Sequence, residues 1–254
     1  MPPLPARART WPAVLAALTI AVAAVGAGLA IVASPWWSAA EVRVVAAVQG
    51  ASNVGFDLIA LTINIVFGPS GAAVVAALTV LWVILLSRSW RLGARVLLVL
   101  IASWGCAELV KPIVRRPRPD PAALRTMIVP EPHSFGYPSG HTAFAAALVC
   151  ALVLVVARGR ARPFAVAGGV VVVVATAWSR VYLGVHYPTD VGASMVVVPA
   201  VAIAVHRLTA GLDRQTGDAA GTPAQAARFA RTPSPRRGLR NPMDHTHHRS
   251  PTGH

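Results

Sequence analysis

The sequence predicts an all-α protein whose helices form a bundle within a membrane. Hydrophobic residues make up 55% of the 254 residues, and charged residues make up only 13%. A soluble domain carries about twice that share of charged residues. This composition excludes a chain that is disordered along its whole length. With only two cysteines, the chain is also not a small disulfide-rich scaffold.

Six apolar segments are each predicted to cross the bilayer as a helix. They are residues 13–33, 71–87, 92–110, 140–157, 163–179 and 191–205. A helix rises about 1.5 Å per residue, so segments of this size approach or reach the length that a bilayer requires. The first segment follows Arg7 and Arg9, as a signal peptide would. It is longer than a usual signal core of about 7–15 residues, so we expect a retained first helix.

Residues 54–67 form a shorter apolar segment that carries Asp57 and Asn64. We interpret this segment as an interfacial or re-entrant helix rather than a span. Basic residues favour the cytoplasmic side in short loops. With six spans and a cytoplasmic N-terminus, the arginine-rich loops at 88–95 and 158–162 both lie inside. A seventh span at 54–67 would put the first of these loops outside.

The chain is predicted to contain one membrane domain between two polar ends. Residues 1–10 are a cytoplasmic N-terminus, and residues 11–208 are the six-span domain. Residues 209–254 are rich in Arg, Pro, Gly, Ser and His, and we expect a disordered cytoplasmic tail. The net charge is +14, but 16 of the 23 basic residues fall on the predicted inner side. The charge therefore indicates orientation in the membrane, and we expect no nucleic-acid partner.

Three polar stretches adjoin the ends of predicted spans, all on the predicted outer side. They are residues 111–119 (KPIVRRPRP), 137–142 (YPSGHT) and 179–190 (SRVYLGVHYPTD). The first stretch contains Lys111, the only lysine, and Arg118. We expect Arg115, Arg116 and the later Arg125 to extend to the lipid head groups, as cations at the ends of membrane helices commonly do.

The second stretch leads directly into an apolar helix. Ser139 is placed to cap this helix, which leaves the backbone N–H groups of Gly140 and His141 at its start. A helix N-terminus favours an anion, and phosphate in particular. The alternative is an ordinary capped helix with an interfacial histidine.

The third stretch places a histidine just before a helix and a carboxylate in its first turn. Pro188 suits the first turn of a helix, with His186 before it and Asp190 within that turn. Asp190 could accept a hydrogen bond from one imidazole nitrogen of His186 and leave the other nitrogen nucleophilic. Arg180 has a planar fork that suits phosphoryl oxygens. The alternative is an Arg180–Asp190 ion pair, although charges at this depth are usually functional.

Together these residue types suit phosphoryl transfer, in which positioning and charge stabilisation dominate. The sequence has no Walker loop and no acidic cluster for Mg²⁺, which favours hydrolysis through a phosphohistidine without a metal or another cofactor. The alternative is a transporter, channel or lipid-binding scaffold for an anionic solute. Transporter sites usually lie near the bilayer midplane, whereas these polar residues gather at one interface.

The same residues resemble the type 2 phosphatidic acid phosphatase family over about residues 50–208. The three signature motifs of that family are similar to Lys111-x6-Arg118-Pro119, Pro138-Ser139-Gly140-His141 and Ser179-Arg180-x5-His186-x3-Asp190. The resemblance implies that His186 is the nucleophile, that Asp190 orients it and that His141 protonates the leaving oxygen. It implies that the phosphoryl oxygens are held by Lys111, Arg118, Ser139, Gly140 and Arg180. It implies no role for Arg115 or Arg116.

The resemblance also implies a substrate and a location. The substrate would be a lipid phosphate or diphosphate, with a prenyl diphosphate such as undecaprenyl diphosphate favoured over phosphatidic acid or phosphatidylglycerol phosphate. The site would lie on the extracytoplasmic face of the cell membrane, where a lipid could enter with its tail still in the bilayer. Vanadium-dependent haloperoxidases look similar at this site, but they are soluble and this chain is not.

Three titratable side chains within predicted spans are expected to be structural. Glu108 lies three residues before Lys111, so the two can form an i,i+3 ion pair. Cys106 and Cys150 are expected to pack as small apolar groups.

Overall fold

The computed structural model describes residues 6–124, 129–130 and 134–229, and every regular element among them is helical. The eight α-helices of this part of the chain are α1 Ala6–Val32, α2 Pro35–Gln49, α3 Val54–Phe67, α4 Pro69–Ser87, α5 Trp90–Val114, α6 Gly140–Ala151, α7 Ala161–Tyr182 and α8 Pro188–Phe229. A short 3₁₀ turn lies at Pro121–Ala123, and a π-helical turn at Leu152–Val156 follows α6. The predicted all-α class is confirmed.

Five helices in the described residues are long and apolar enough to cross a membrane, and the chain is an integral membrane protein. These candidate spans are Thr10–Val32, Pro69–Ser87, Trp90–Val114, Ala161–Tyr182 and Pro188–Ala210, each overlapping one predicted span. The remaining predicted span, 140–157, forms a shorter apolar helix, Gly140–Val156. This helix packs along both α5 and α7, so it runs within the bundle with them.

The helix pair α2–α3 brings one element that the sequence analysis does not predict. Helix α3 has the bounds predicted for it and is capped by the Asn53 side chain, which accepts the Phe56 N–H. Helix α2 is not predicted, because Glu41 and Arg43 interrupt its apolar pattern. The two helices are bent by 120°, as in a broken span or a re-entrant element.

Helix α6 lies at the centre of the main hydrophobic core. Every residue from Thr142 to Leu148 is buried, and the surrounding core residues come from α4, α5, α7 and α8. Helix α7 approaches α6 closely at Gly169, where an added β-carbon would lie 2.3 Å from Cγ1 of Val149. This packing holds the first residues of α6 at one end of the bundle.

Helix α8 continues to Phe229, so residues 209–229 are helical where the composition predicts a disordered tail. Alanine, which occurs six times in residues 209–229 and is their most frequent residue, is the best helix former. The chain divides into two compact units, Met1–Asp213 and Arg214–His254. The rest of the predicted tail, with its histidines, lies outside the described residues.

Candidate active site

The three polar stretches meet at one pocket of about 530 Å³, at the C-terminal ends of α5 and α7 and the N-terminal end of α6. Six of the eight predicted site residues line it: Lys111, Arg118, Gly140, His141, Arg180 and His186. The other two, Ser139 and Asp190, are fully buried beside it. Residues of α3 and of the start of α4 also line the pocket.

His186 lies between α7 and α8, and each of its two ring nitrogens lies close to a charged side chain. Nδ1 is 3.4 Å from Oδ2 of Asp190, and Nε2 is 3.0 Å from Nη1 of Arg118. A guanidinium group only donates hydrogen bonds, so we assign Nε2 as the acceptor and place the ring proton on Nδ1, facing Asp190. Asp190 lies in the first turn of α8, which begins at Pro188 as predicted. This tautomer leaves the Nε2 lone pair directed towards the pocket.

The surroundings of His186 favour its neutral form. Burial lowers the pKa of His186 well below its ordinary value, because the imidazole is only 2% exposed. The positive charges of Arg118, Lys111 and Arg180 lower this pKa further. The imidazole is therefore uncharged at neutral pH, which is the state in which it can act as a nucleophile.

Two arginines that line the pocket are held as preformed forks. Arg118 donates from Nη1 to the carbonyl oxygen of Val185 at 2.7 Å, and from Nε to that of Ser134 at 2.8 Å. Arg180 is buried and donates from Nη1 to Oδ1 of Asn64 at 2.7 Å. Asn64 belongs to α3 and was not predicted as a site residue. Forks fixed in this way can bind an anion at a small cost in side-chain entropy.

The start of α6 faces Lys111 and Glu108. Nζ of Lys111 lies 2.9 Å from each carboxylate oxygen of Glu108, which confirms the predicted i,i+3 pair. A β-carbon at Gly140 would lie 2.5 Å from Oε1 of Glu108 and 2.9 Å from Nζ of Lys111, so both groups crowd against this glycine. On the next residue, Nε2 of His141 lies 3.3 Å from the carbonyl oxygen of Asn64.

Ser139 occupies the predicted N-cap position of α6 but does not cap the helix with its side chain. Its hydroxyl instead accepts a hydrogen bond from Thr142. Its backbone N–H donates to the carbonyl oxygen of Asp190 at 3.0 Å, and its carbonyl oxygen accepts from the Ser194 hydroxyl at 2.9 Å. The backbone of Ser139 thus ties the start of α6 to the start of α8.

Arg116 is buried, so the expectation that it extends to the lipid head groups is wrong. Its side chain is 1% exposed, with Nη1 2.6 Å from Oδ1 of Asp190 and Nη2 2.6 Å from Oε2 of Glu41. The guanidinium also lies 4.0 Å from the ring centroid of Tyr187. The sequence carries no signal for this contact, because Glu41 lies on the unpredicted helix α2.

The structure bears differently on the predictions for the other two arginines, Arg115 and Arg125. Arg115 is exposed, as expected, and its Nε donates to the carbonyl oxygen of Pro112 at 2.9 Å. Arg125 lies outside the described residues. In the described part of the chain, the side chain of Arg116 therefore contacts a predicted site residue, Asp190, and that of Arg115 does not.

Comparison with known proteins identifies a matching family model and two proteins that are similar in sequence. Residues 92–214 match the model of the PAP2 superfamily, and this range contains all three polar stretches. Two proteins of Mycobacterium tuberculosis, from strains CDC 1551 / Oshkosh and ATCC 25618 / H37Rv, are each named decaprenylphosphoryl-5-phosphoribose phosphatase. Each is 35% identical over 108 residues, which are 42% of this chain and 56% of the relative. The chain thus spans about half the length of these curated relatives.

A solved structure shares the fold. The transmembrane PAP2-type phosphatidylglycerolphosphate phosphatase of Bacillus subtilis superposes with a TM-score of 0.63 at 21% sequence identity. The match covers 79% of this chain and 96% of that chain. At this identity the likeness concerns the arrangement of the helices.

Proposed function

We propose that this chain is a member of the PAP2 superfamily, whose model matches residues 92–214, and that it hydrolyses a phosphomonoester or a diphosphate of a membrane lipid. The observation that carries the proposal is the neutral His186, which lies against Asp190 and opens to a pocket that also contains three cations. The pocket also has an apolar wall at Phe67 and Trp104, which suits a lipid. The three proteins reported above carry the names decaprenylphosphoryl-5-phosphoribose phosphatase, for two of them, and phosphatidylglycerolphosphate phosphatase.

In the proposed first step, Nε2 of His186 attacks phosphorus while the bond to the leaving oxygen breaks. Arg118 moves from Nε2 to a phosphoryl oxygen, and Lys111 and Arg180 neutralise the charge on the other oxygens. The positive charge that develops on the imidazole is stabilised by Asp190. The proton that the leaving oxygen needs comes from His141, which takes it up from solvent when the negatively charged phosphate binds beside it, and the product is a phosphohistidine.

In the proposed second step, water replaces the lipid at the phosphorus. His141, now neutral, takes a proton from the water while the new P–O bond forms and the N–P bond of His186 breaks. Inorganic phosphate leaves, and both histidines return to their starting states. Neither step uses a metal ion.

The candidate substrates are a prenyl diphosphate such as undecaprenyl diphosphate, phosphatidic acid and phosphatidylglycerol phosphate. We place the pocket on the extracytoplasmic face of the cell membrane, with both termini in the cytoplasm. A prenyl diphosphatase in this position would serve the recycling of lipid carriers for cell-wall synthesis. In each case the lipid tail stays in the bilayer while its phosphate enters the pocket.

The test is phosphate release by the purified protein in detergent, with EDTA present and with these lipids as a panel. Detergent removes any membrane gradient, so a transporter gives no signal. We expect His186→Ala to lower kcat at least about a thousandfold, because the nucleophile is lost. His206→Ala is the matched control, since His206 lies on α8 outside the pocket lining. An unchanged rate in His186→Ala would refute the mechanism, and a rate abolished by EDTA would refute its independence of metal.

A further inference from the structure

Below the phosphate-binding cations, the pocket continues along one face of α5. Lys111, Glu108 and Trp104 all line it, and their spacing of three and four residues places them on that face one turn apart. The polar end of the pocket therefore leads first past a carboxylate and then past an indole ring.

Glu108 is the one acidic residue among the described residues that line the pocket. Its side chain is 36% exposed, so a ligand can reach it. A carboxylate has about four lone-pair positions, and the contact with Lys111 leaves some of them available. Glu108 can therefore accept a further hydrogen bond from a ligand.

Glu108 lies beside the start of α6, the helix that carries the proposed proton donor His141. Displacement at phosphorus is in line, so the leaving oxygen is opposite His186 and beside the proton donor, His141. Oε1 of Glu108 lies against Gly140, the neighbour of His141 in the chain. The atoms that follow the leaving oxygen thus pass the carboxylate.

The next part of the pocket is aromatic and uncharged. The ring of Trp104 packs edge-to-face against Phe144 with centroids 5.8 Å apart, and Phe144 in turn lies 5.9 Å from Phe67. A second phosphate at this level would lie between the Glu108 carboxylate and these rings. Like-charge repulsion and desolvation both oppose that placement.

We propose that Glu108 makes the site selective for a phosphomonoester whose leaving group is uncharged next to the scissile bond and carries a hydroxyl. The hydroxyl donates to the carboxylate, and the carbon skeleton packs on Trp104. This inference rests on the proposed function and narrows its substrate class to phosphorylated polyol headgroups. It reverses the preference for a prenyl diphosphate that topology and family resemblance suggest.

The test compares kcat/KM for three lipids with wild-type protein and Glu108→Gln. Phosphatidylglycerol phosphate has a hydroxyl-bearing leaving group, phosphatidic acid has none, and undecaprenyl diphosphate has a charged one. We expect wild type to prefer them in that order. In Glu108→Gln, the ratio of undecaprenyl diphosphate to phosphatidylglycerol phosphate should rise at least about tenfold. If the substitution displaces Lys111, any effect on kcat/KM that is common to the three lipids cancels in these ratios.

Asp120→Asn is the matched control, because Asp120 is an exposed acid outside the pocket lining, and its ratios should equal those of wild type. If Glu108→Gln folds without turnover, thermal shifts with inorganic phosphate and pyrophosphate supply the same comparison, and pyrophosphate should gain. A faster wild-type rate with the diphosphate, or unchanged ratios in Glu108→Gln, would overturn the inference. If no lipid releases phosphate from wild type, the proposed function itself has failed.

Discussion

Arg116 lies between two buried carboxylates, and this position gives it a defined role. It contacts Asp190 on one side and Glu41 on the other, both at 2.6 Å. Glu41 also accepts the backbone N–H of Thr189 at the start of α8. Arg116 does not line the pocket, so its effect on the reaction must pass through Asp190, which faces His186. In the proposed mechanism, Arg116 is therefore a positioning residue.

We predict that Arg116→Ala lowers kcat about a hundredfold with little change in KM. Loss of one partner of a buried ion pair costs about 3–5 kcal/mol, because it leaves a buried charge unpaired. Here the affected charge is that of Asp190, which orients the nucleophile in the proposed mechanism. Steady-state kinetics in detergent measure the effect, and Arg116→Lys, which keeps the charge, should recover part of kcat.

Arg115→Ala is the matched control for this prediction, since Arg115 is the exposed neighbour of Arg116. Its kcat should equal that of wild type. A wild-type kcat in Arg116→Ala would show that Asp190 keeps its orientation without this contact.

At the scale of the helices, the close approach of α6 and α7 determines where the site forms. Gly169 is buried against Val149, whereas its neighbour Gly168 is exposed and has no atom within 4 Å of an added β-carbon. The side chain of Val149 would have to move if Gly169 gained a methyl group. Because α6 starts at the pocket, a shift of this helix also displaces His141.

We predict that Gly169→Ala lowers the Tm of the protein in detergent, while Gly168→Ala does not. Alanine favours a helix over glycine by about 0.5–1 kcal/mol at both positions. At Gly169 the overpacking against Val149 costs about 1–3 kcal/mol and outweighs this gain. Thermal unfolding followed by intrinsic fluorescence compares the two variants. Equal Tm values would mean that Val149 moves aside at no cost.

At the scale of the whole molecule, the charges separate into two groups along the bundle. Lys111 and Arg118 adjoin the C-terminal end of α5 at the pocket, whereas Arg95 lies near its N-terminal end. Arg158 follows the π-helical turn Leu152–Val156, which comes at the far end of α6 from the pocket and packs against α5. The arginines of the two loops predicted to be cytoplasmic therefore lie together, at the opposite end from the pocket.

We predict that a membrane-impermeant maleimide labels Asp120→Cys in intact cells but labels Ala161→Cys only after permeabilisation. Both positions are exposed, and they adjoin opposite ends of the bundle. Cys106 and Cys150 are first replaced by alanine so that the introduced thiol is the only one. Positive loops favour the cytoplasmic side, so we expect the pocket to lie on the outer side. The reverse labelling pattern would place the pocket in the cytoplasm.

The amino-acid sequence by itself determines the features that depend on near neighbours. The spans follow from runs of apolar residues, because one continuous helix of about 20 apolar residues is long enough to cross the bilayer. The spacing of His186 and Asp190 follows from the helix start at Pro188, and the Lys111–Glu108 pair follows from the helical repeat. The three motifs also identify the catalytic candidates, since each motif is a short continuous stretch.

Only the tertiary structure decides which distant groups complete the site. Arg116 meets a carboxylate 75 residues earlier in the chain, and Arg180 meets Asn64 across 116 residues. No local pattern encodes such contacts, because they depend on how α2 and α3 pack against the later helices. The packing of α5 against α6 places the Glu108 carboxylate against Gly140. The helical repeat predicts only the contact between Glu108 and Lys111.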